Sequence, residues 1–137
     1  MDFEVAKEKA VRYLVVAKKT EFEVRNKLKK AGAEEDIIEE VILYLKSIHY
    51  IDDEEYVDAY IRQCMRLIKY SIFEIKQKLL QKGIKKDIIE KKLVFLSNTD
   101  YEKKLIQKLL DGKLKNMEEI KKKQYLYRRG FSQNIDD

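Results

Sequence analysis

Residues 20–45 and 71–96 are one segment written twice: TEFEVRNKLKKAGAEEDIIEEVILYL and SIFEIKQKLLQKGIKKDIIEKKLVFL align without a gap at an offset of 51 residues. Ten of the 26 aligned positions are identical, among them Phe22/Phe73, Glu23/Glu74, Lys27/Lys78, Gly32/Gly83 and Glu39/Glu90. A period near fifty marks a chain built from stacked copies of one supersecondary unit, none of which can bury its apolar face alone. A fainter third copy places Leu126, Gly130, Phe131 and Ile135 on Leu28, Gly32, Ala33 and Ile37 at an offset of 98. Within 137 residues this leaves two complete units and a shorter third, divided at 1–49, 50–98 and 99–137. The third is expected to lack its last helix, because the chain stops at Ile135-Asp136-Asp137, where the other copies start theirs.

Local signals make each unit helical. Thr20 with Glu23 and Ser71 with Glu74 have the spacing of capping boxes, in which the hydroxyl accepts from the third helical amide and the glutamate reaches back to the cap. Asp52 with Glu55, Thr99 with Glu102 and Asn116 with Glu119 repeat that spacing, and Asp2 suits a cap for the first helix. Gly32, Gly83 and Gly130 each follow a basic stretch, as expected of a left-handed residue closing a helix whose last turn carries cations. Long first helices are read over roughly 3–18 and 53–68, the former with Val5, Ala6, Ala10, Tyr13, Leu14 and Ala17 inward. Apolar residues at i and i+4, such as Val24/Leu28 and Ile75/Leu79, give the second helices one buried stripe. Proline is absent and only four residues are glycine, so no linker interrupts the pattern. The predicted fold is all-α: tandem three-helix repeats forming an elongated, curved module.

Composition narrows the function classes. No apolar run approaches membrane-spanning length, the N-terminus MDFEVAKEKAVRYL interleaves charge with apolar residues unlike a signal peptide, and Cys64 has no partner to pair with. A cytoplasmic protein is expected. Residues 1–60 carry 10 Lys+Arg against 15 Asp+Glu, whereas 61–137 carry 20 against 10, so the C-terminal part suits a polyanion or an acidic protein face. Lysine accounts for 24 of the 30 cations, which also fits solvated helix faces in general.

Catalytic constellations do not assemble. His49 is the only histidine and sits in a turn before Tyr50-Ile51, and the acids Asp52-Asp53-Glu54-Glu55 stand where a helix dipole favours negative charge. A hydrolase using Asp52, Asp53 and His49 is a distant reading; neither catalytic residues, metal ligands, cofactors nor a small-molecule substrate are assigned. Each second helix, turn and third helix could pass for a DNA-reading helix-turn-helix, but Glu34-Glu35-Asp36 would present repelling charge to phosphates. Arg62, Arg66 and Lys69 form a stripe at i, i+4 and i+7 opposite Cys64 and Ile68. The stretch Lys121-Lys122-Lys123-Gln124-Tyr125-Leu126-Tyr127-Arg128-Arg129 holds five cations and no acid, and rings beside cations can stack on unpaired bases. Tyr56, Tyr60 and Tyr70 also lie among basic residues, Tyr56 and Tyr60 suiting the packing between units, while Tyr125 and Tyr127 are read as open.

Four motifs in order resemble the RecX family of bacterial regulators of the RecA recombinase. They are Thr20-x-x-Glu23-Val24-Arg25-x-Lys27-Leu28 ending at Gly32, then Leu45-Lys46-x-x-x-Tyr50-Ile51-Asp52-Asp53-Glu54-x-Tyr56, then Ile75-Lys76-Gln77-Lys78-Leu79-x-x-Lys82-Gly83-Ile84, and Tyr127-Arg128-Arg129-Gly130-Phe131-Ser132. Lys69-Tyr70-Ser71-Ile72 departs from the Gly-Pro-like turn usual in the family before the second unit's middle helix. The resemblance implies a non-enzymatic module lodged in the groove of the RecA filament on single-stranded DNA, restraining its ATPase and strand exchange. Partner or DNA contacts are then expected from Arg25, Arg62, Arg66, Lys69, Lys76, Lys121, Lys122, Lys123, Tyr125, Tyr127, Arg128 and Arg129. A general nucleic-acid-binding helical repeat, on single- or double-stranded DNA, is the alternative.

Overall fold

The structure, a computed structural model, describes residues 1–131. Among the described residues there are eight α-helices and no strand. The first unit comprises α1 (Phe3–Val16), α2 (Glu21–Lys30) and α3 (Glu35–Ser47); the second, α4 (Asp53–Leu67), α5 (Ile72–Gln81) and α6 (Lys86–Ser97). A third begins with α7 (Tyr101–Asp111) and α8 (Glu119–Arg128). The expected position of Ile135 lies outside the described residues.

The paired caps form as the hydroxyl-to-glutamate spacing requires. The Glu23 amide donates to Thr20 Oγ1 at 3.2 Å while the Thr20 amide donates to Glu23 Oε1 at 3.0 Å; Ser71 and Glu74 repeat this at 3.0 and 2.9 Å. Asp2 and Asp52 cap α1 and α4 through single bonds from the Val5 and Glu55 amides. Two further expected caps do not form. Thr99 instead donates back to the Leu96 carbonyl at 2.6 Å, leaving Asp100 to precede α7, and α8 starts after Glu118 rather than at Asn116. The period itself indicated the latter, since Glu118 stands 98 residues after Thr20.

Helix ends obey the glycine signal. Gly32, Gly83 and Gly130 have φ of +95°, +78° and +91°, and the amides of Ala33, Ile84 and Phe131 bond back to Leu28, Leu79 and Leu126 carbonyls at 3.0 to 3.3 Å. Each of those residues is buried, completing the apolar contact that accompanies such a stop. Ile68 ends α4 at φ +48° without a glycine, a strained position for a β-branched residue. The Lys108 ammonium donates to the Leu67 and Ile68 carbonyls at 3.3 and 3.1 Å, satisfying that exposed terminus.

Two apolar cores result. One is confined to the first unit and its exit, with Ala6, Ala10, Val24, Leu28, Ile38, Val41, Ile42, Leu45 and Ile51. The other runs from Val57 through Ile75, Leu79 and Leu96 to Leu105, Leu126 and Phe131, joining the second and third units. Val5 and Ala17, expected inward, are exposed because α1 ends at Val16 and turns its Ala6–Ala10 side to the core.

The glycines differ in a way that yields a test. A Cβ on Gly83 would stand 2.2 Å from the Phe22 ring, whereas one on Gly32 meets nothing within 4 Å. Gly32→Ala should therefore cost about 1 kcal/mol, the backbone term alone. Gly83→Ala should cost about 2–4 kcal/mol once overpacking is added. Urea denaturation of both variants measures the difference, and equal losses would refute the contact.

Candidate partner and nucleic-acid interface

A polar latch joins each unit to the next. Thr20 Oγ1, besides capping α2, donates to the carbonyl of Lys82 at 2.7 Å, the residue that ends α5. Ser71 Oγ donates in the same way to the carbonyl of Arg129 at 2.5 Å, at the end of α8. Around each hydroxyl the same accessory contacts recur. The Glu21 amide donates to Asp53 at 3.0 Å and the Ile72 amide to Glu102 at 3.4 Å; Lys82 pairs with Glu23 at 3.5 Å and Arg129 with Glu74 at 2.7 Å.

The latch claims Arg129. Its guanidinium grips Glu74 with two nitrogens at 2.7 and 3.1 Å, donates to the Lys69 carbonyl at 2.6 Å and to the Tyr125 hydroxyl at 3.3 Å. Burial pushes the Glu74 carboxyl up, but the Arg129 and Ser71 hydrogen bonds outweigh it and hold the group below its ordinary 4.5. Asp53 and Glu102 shift the other way, burial raising them more than their single amide bonds lower them. Tyr125, read as open, is half-buried, with the Lys113 ammonium 4.9 Å and the Arg129 guanidinium 5.8 Å from its ring centre.

Arg25 and Lys76 are also occupied within the chain. They are the same position one period apart, and each pairs with the repeat-equivalent glutamate of the following helix, Arg25 with Glu39 and Lys76 with Glu90 at 3.2 Å. Arg25 additionally reaches Glu21 at 3.1 Å, and these carboxylates push its guanidinium pKa up despite partial burial. Two identical glutamates facing two cations at a shared offset were a readable sign of an internal brace. Lys122 pairs with Glu119 at 3.2 Å.

What remains is a set of cations with no ion pair among the described residues: Arg62, Arg66, Lys69, Lys121, Lys123 and Arg128. All six are exposed, as is Tyr127 at 69%. The Arg129 bond to the Lys69 carbonyl sets the end of the α4 stripe beside the end of α8, so features sixty residues apart in the chain adjoin. Lys69 also lies 5.5 Å from the Tyr70 ring centre, with Lys78 at 4.5 Å, a pair the sequence reading left out. Tyr56 and Tyr60 stack at 6.4 Å, half-buried, as expected of residues packed between units.

Both acids of the enzymatic alternative are otherwise employed. Asp52 caps α4, Asp53 accepts the Glu21 amide, Glu55 pairs with Lys18 at 3.1 Å, and no group of three or more His, Cys, Asp or Glu among the described residues could hold a metal. Burial raises the Cys64 thiol to about 11, the opposite of an activated nucleophile. No helix of the described chain is long and apolar enough to cross a membrane.

Comparison with known proteins places this architecture. The sequence model of the first three-helix domain of RecX matches residues 6–45, and that of the second three-helix domain matches 52–93. A regulatory protein RecX from Caldanaerobacter subterraneus subsp. tengcongensis is 35% identical over 96% of this chain and 67% of its own length. The chain belongs to the RecX family. The regulatory protein RecX of Streptococcus agalactiae serotype III is 39% identical over 71% of this chain and 38% of its own length. These alignments thus span between 38% and 67% of the relatives. The crystal structure of RecX from Lactobacillus salivarius superposes with a TM-score of 0.82 at 30% identity, covering 98% of this chain and 91% of that one.

The shifted carboxylate supplies a pH test of the RecX latch. Because the folded-state pKa of Glu74 is depressed, its contribution to stability is complete above about 4.5 and is lost as pH falls through the lower folded value. The stability gap between the native chain and Glu74→Gln should accordingly shrink as pH falls from 4.5 through the lower folded value, beneath which both carry a neutral side chain. At neutral pH a double-mutant cycle with Arg129→Met should return a coupling of about 1–2 kcal/mol. A coupling near zero would remove Arg129 from the latch.

Proposed function

We propose that this chain is a non-catalytic regulator that binds the RecA filament on single-stranded DNA and mainly inhibits its ATPase and strand exchange. The observation that carries this reading is the RecX architecture bearing exposed cations with no ion pair among the described residues. Stacked units at 1–49, 50–98 and 99–137 would offer a surface touching more than one protomer of a repeating assembly. Arg62, Arg66, Lys69, Lys121, Lys123 and Arg128 are the residues proposed to meet phosphate or acidic protein, with Tyr127 available to stack on a base. Arg129 serves this surface indirectly, by tying the end of α8 to Glu74 and to the Lys69 carbonyl, while Arg25 and Lys76 brace α2 to α3 and α5 to α6.

A second reading, a general nucleic-acid-binding repeat, draws on the same cations and is separated by what suffices for binding. RecA ATPase on single-stranded DNA should fall as this chain is titrated in, and Arg62→Glu with Arg66→Glu should weaken that inhibition about tenfold. Each phosphate contact removed should lower the salt dependence of binding by about one unit of slope. An unchanged ATPase at saturating chain and low salt would defeat the filament reading. Tight fluorescence anisotropy binding to DNA without RecA would support the second.

A further inference from the structure

The two junctions follow one plan, and the first unit carries an unfilled copy of its receiving half. Phe22 rests on Gly83 and Glu23 pairs with Lys82, in a depression lined by Tyr60, Lys78 and Gln81. Phe73 rests on Gly130 in the same manner, with Glu74 on Arg129. One period earlier the corresponding depression is lined by Lys9, Tyr13, Val16, Lys27, Lys30 and Ala31, with Arg12, paired to Glu8, at its edge; Lys9, Lys27, Lys30 and Ala31 are the counterparts of Tyr60, Lys78, Gln81 and Lys82.

None of the described residues covers it. The space beside Gly32 is open where its two counterparts hold a phenylalanine, Val16 is 81% exposed, and Lys9, Lys27 and Lys30 have no ion pair among the described residues. An apolar floor flanked by Lys9, Lys27 and Lys30 is complementary to a ring followed by a carboxylate; Ala31 stands where Lys82 and Arg129 pair with the carboxylate at the internal junctions, so here that charge would be met by Lys27 and Lys30.

We propose that this face of the first unit docks the N-terminus of a partner protein's helix bearing a hydroxyl cap, an aromatic residue two positions later and a glutamate next, Ser/Thr-x-Phe-Glu. The ring sits on Gly32, the hydroxyl donates to the Ala31 carbonyl, and the carboxylate faces Lys27 and Lys30. This interaction is separate from filament binding and does not depend on it.

A second copy of this chain is the wrong occupant. Its Thr20 and Ser71 caps are enclosed in its own junctions. Its third middle helix, α8, presents Glu118, Ile120 and Lys121 at the cap, ring and carboxylate positions; Glu118 has no hydroxyl to donate and Lys121 would meet Lys27 and Lys30 with like charge.

The test is anisotropy of a fluorescent, lactam-stapled helical peptide opening Ser-Ile-Phe-Glu, titrated with the full chain. Saturable binding is expected, weakened about tenfold by Phe→Ala in the peptide and by Lys9→Glu with Lys30→Glu in the chain. Those two lysines are exposed and make no ion pair, and circular dichroism verifies that the variant keeps its helices. A shift of the Gly32 amide resonance on titration locates the site. Failure of the stapled peptide to bind, indifference to either change, or displacement of the peptide by single-stranded DNA alone would overturn the proposal. So would a concentration-dependent dimer abolished by the double lysine variant, which would make a second copy the occupant.

Discussion

The hydroxyls of Thr20 and Ser71 each serve two helices at once. Each accepts an amide proton to start the middle helix of its own unit and donates its proton to the carbonyl that ends the middle helix of the next. Only a group with both donor and acceptor capacity can do this. Aspartate, an equally good cap, has no proton to give. These two are also the fully buried polar side chains of the described core, so an unmatched hydroxyl or carbonyl there would carry the full desolvation penalty. The stacking register of the units follows: with cap joined to terminus, Phe22 and Phe73 can only fall on Gly83 and Gly130, and the flanking carboxylates on Lys82 and Arg129.

Much of this was legible in the residues. The 51-residue offset led to the unit, the hydroxyl–glutamate pairs to the helix starts and the three glycines to the stops, because each rests on chemistry contained within a few neighbouring positions. What escaped was whatever required two units to be seen together. Arg129 reads in isolation as one of five cations facing solvent, and becomes a latch residue only once Glu74 is known to lie beside it. Thr99 and Asn116 had acids at the right spacing, yet that spacing cannot decide which turn a helix begins on when a neighbouring carbonyl, such as that of Leu96, competes for the hydroxyl. Ile68 ends a helix left-handed with no glycine to announce it, its carbonyl met by Lys108 of α7.

The charge asymmetry between the two halves likewise resolves into parts with different duties. Arg25, Lys76 and Arg129 are consumed in bracing, whereas of the interface candidates those without an ion pair among the described residues lie along α4, at its end and on α8. Net charge counts both kinds alike, and so overstates the surface available to a polyanion. A RecX chain of this design keeps its cations exposed by satisfying its acids elsewhere, chiefly at helix starts and unit junctions.

The separation into two apolar cores bears on how the molecule yields. The first unit owns its core and meets the rest through Phe22 and polar bonds, while the second and third share a continuous one. Cooperativity is transmitted by shared apolar contact more than by a few hydrogen bonds, so the leading three helices are expected to open as a unit of their own. Amide exchange would then report the α4–α8 block as a single slow set and α1–α3 as a faster one, and a mechanical pull on the N-terminus would detach one brick from the stack without unravelling the wall.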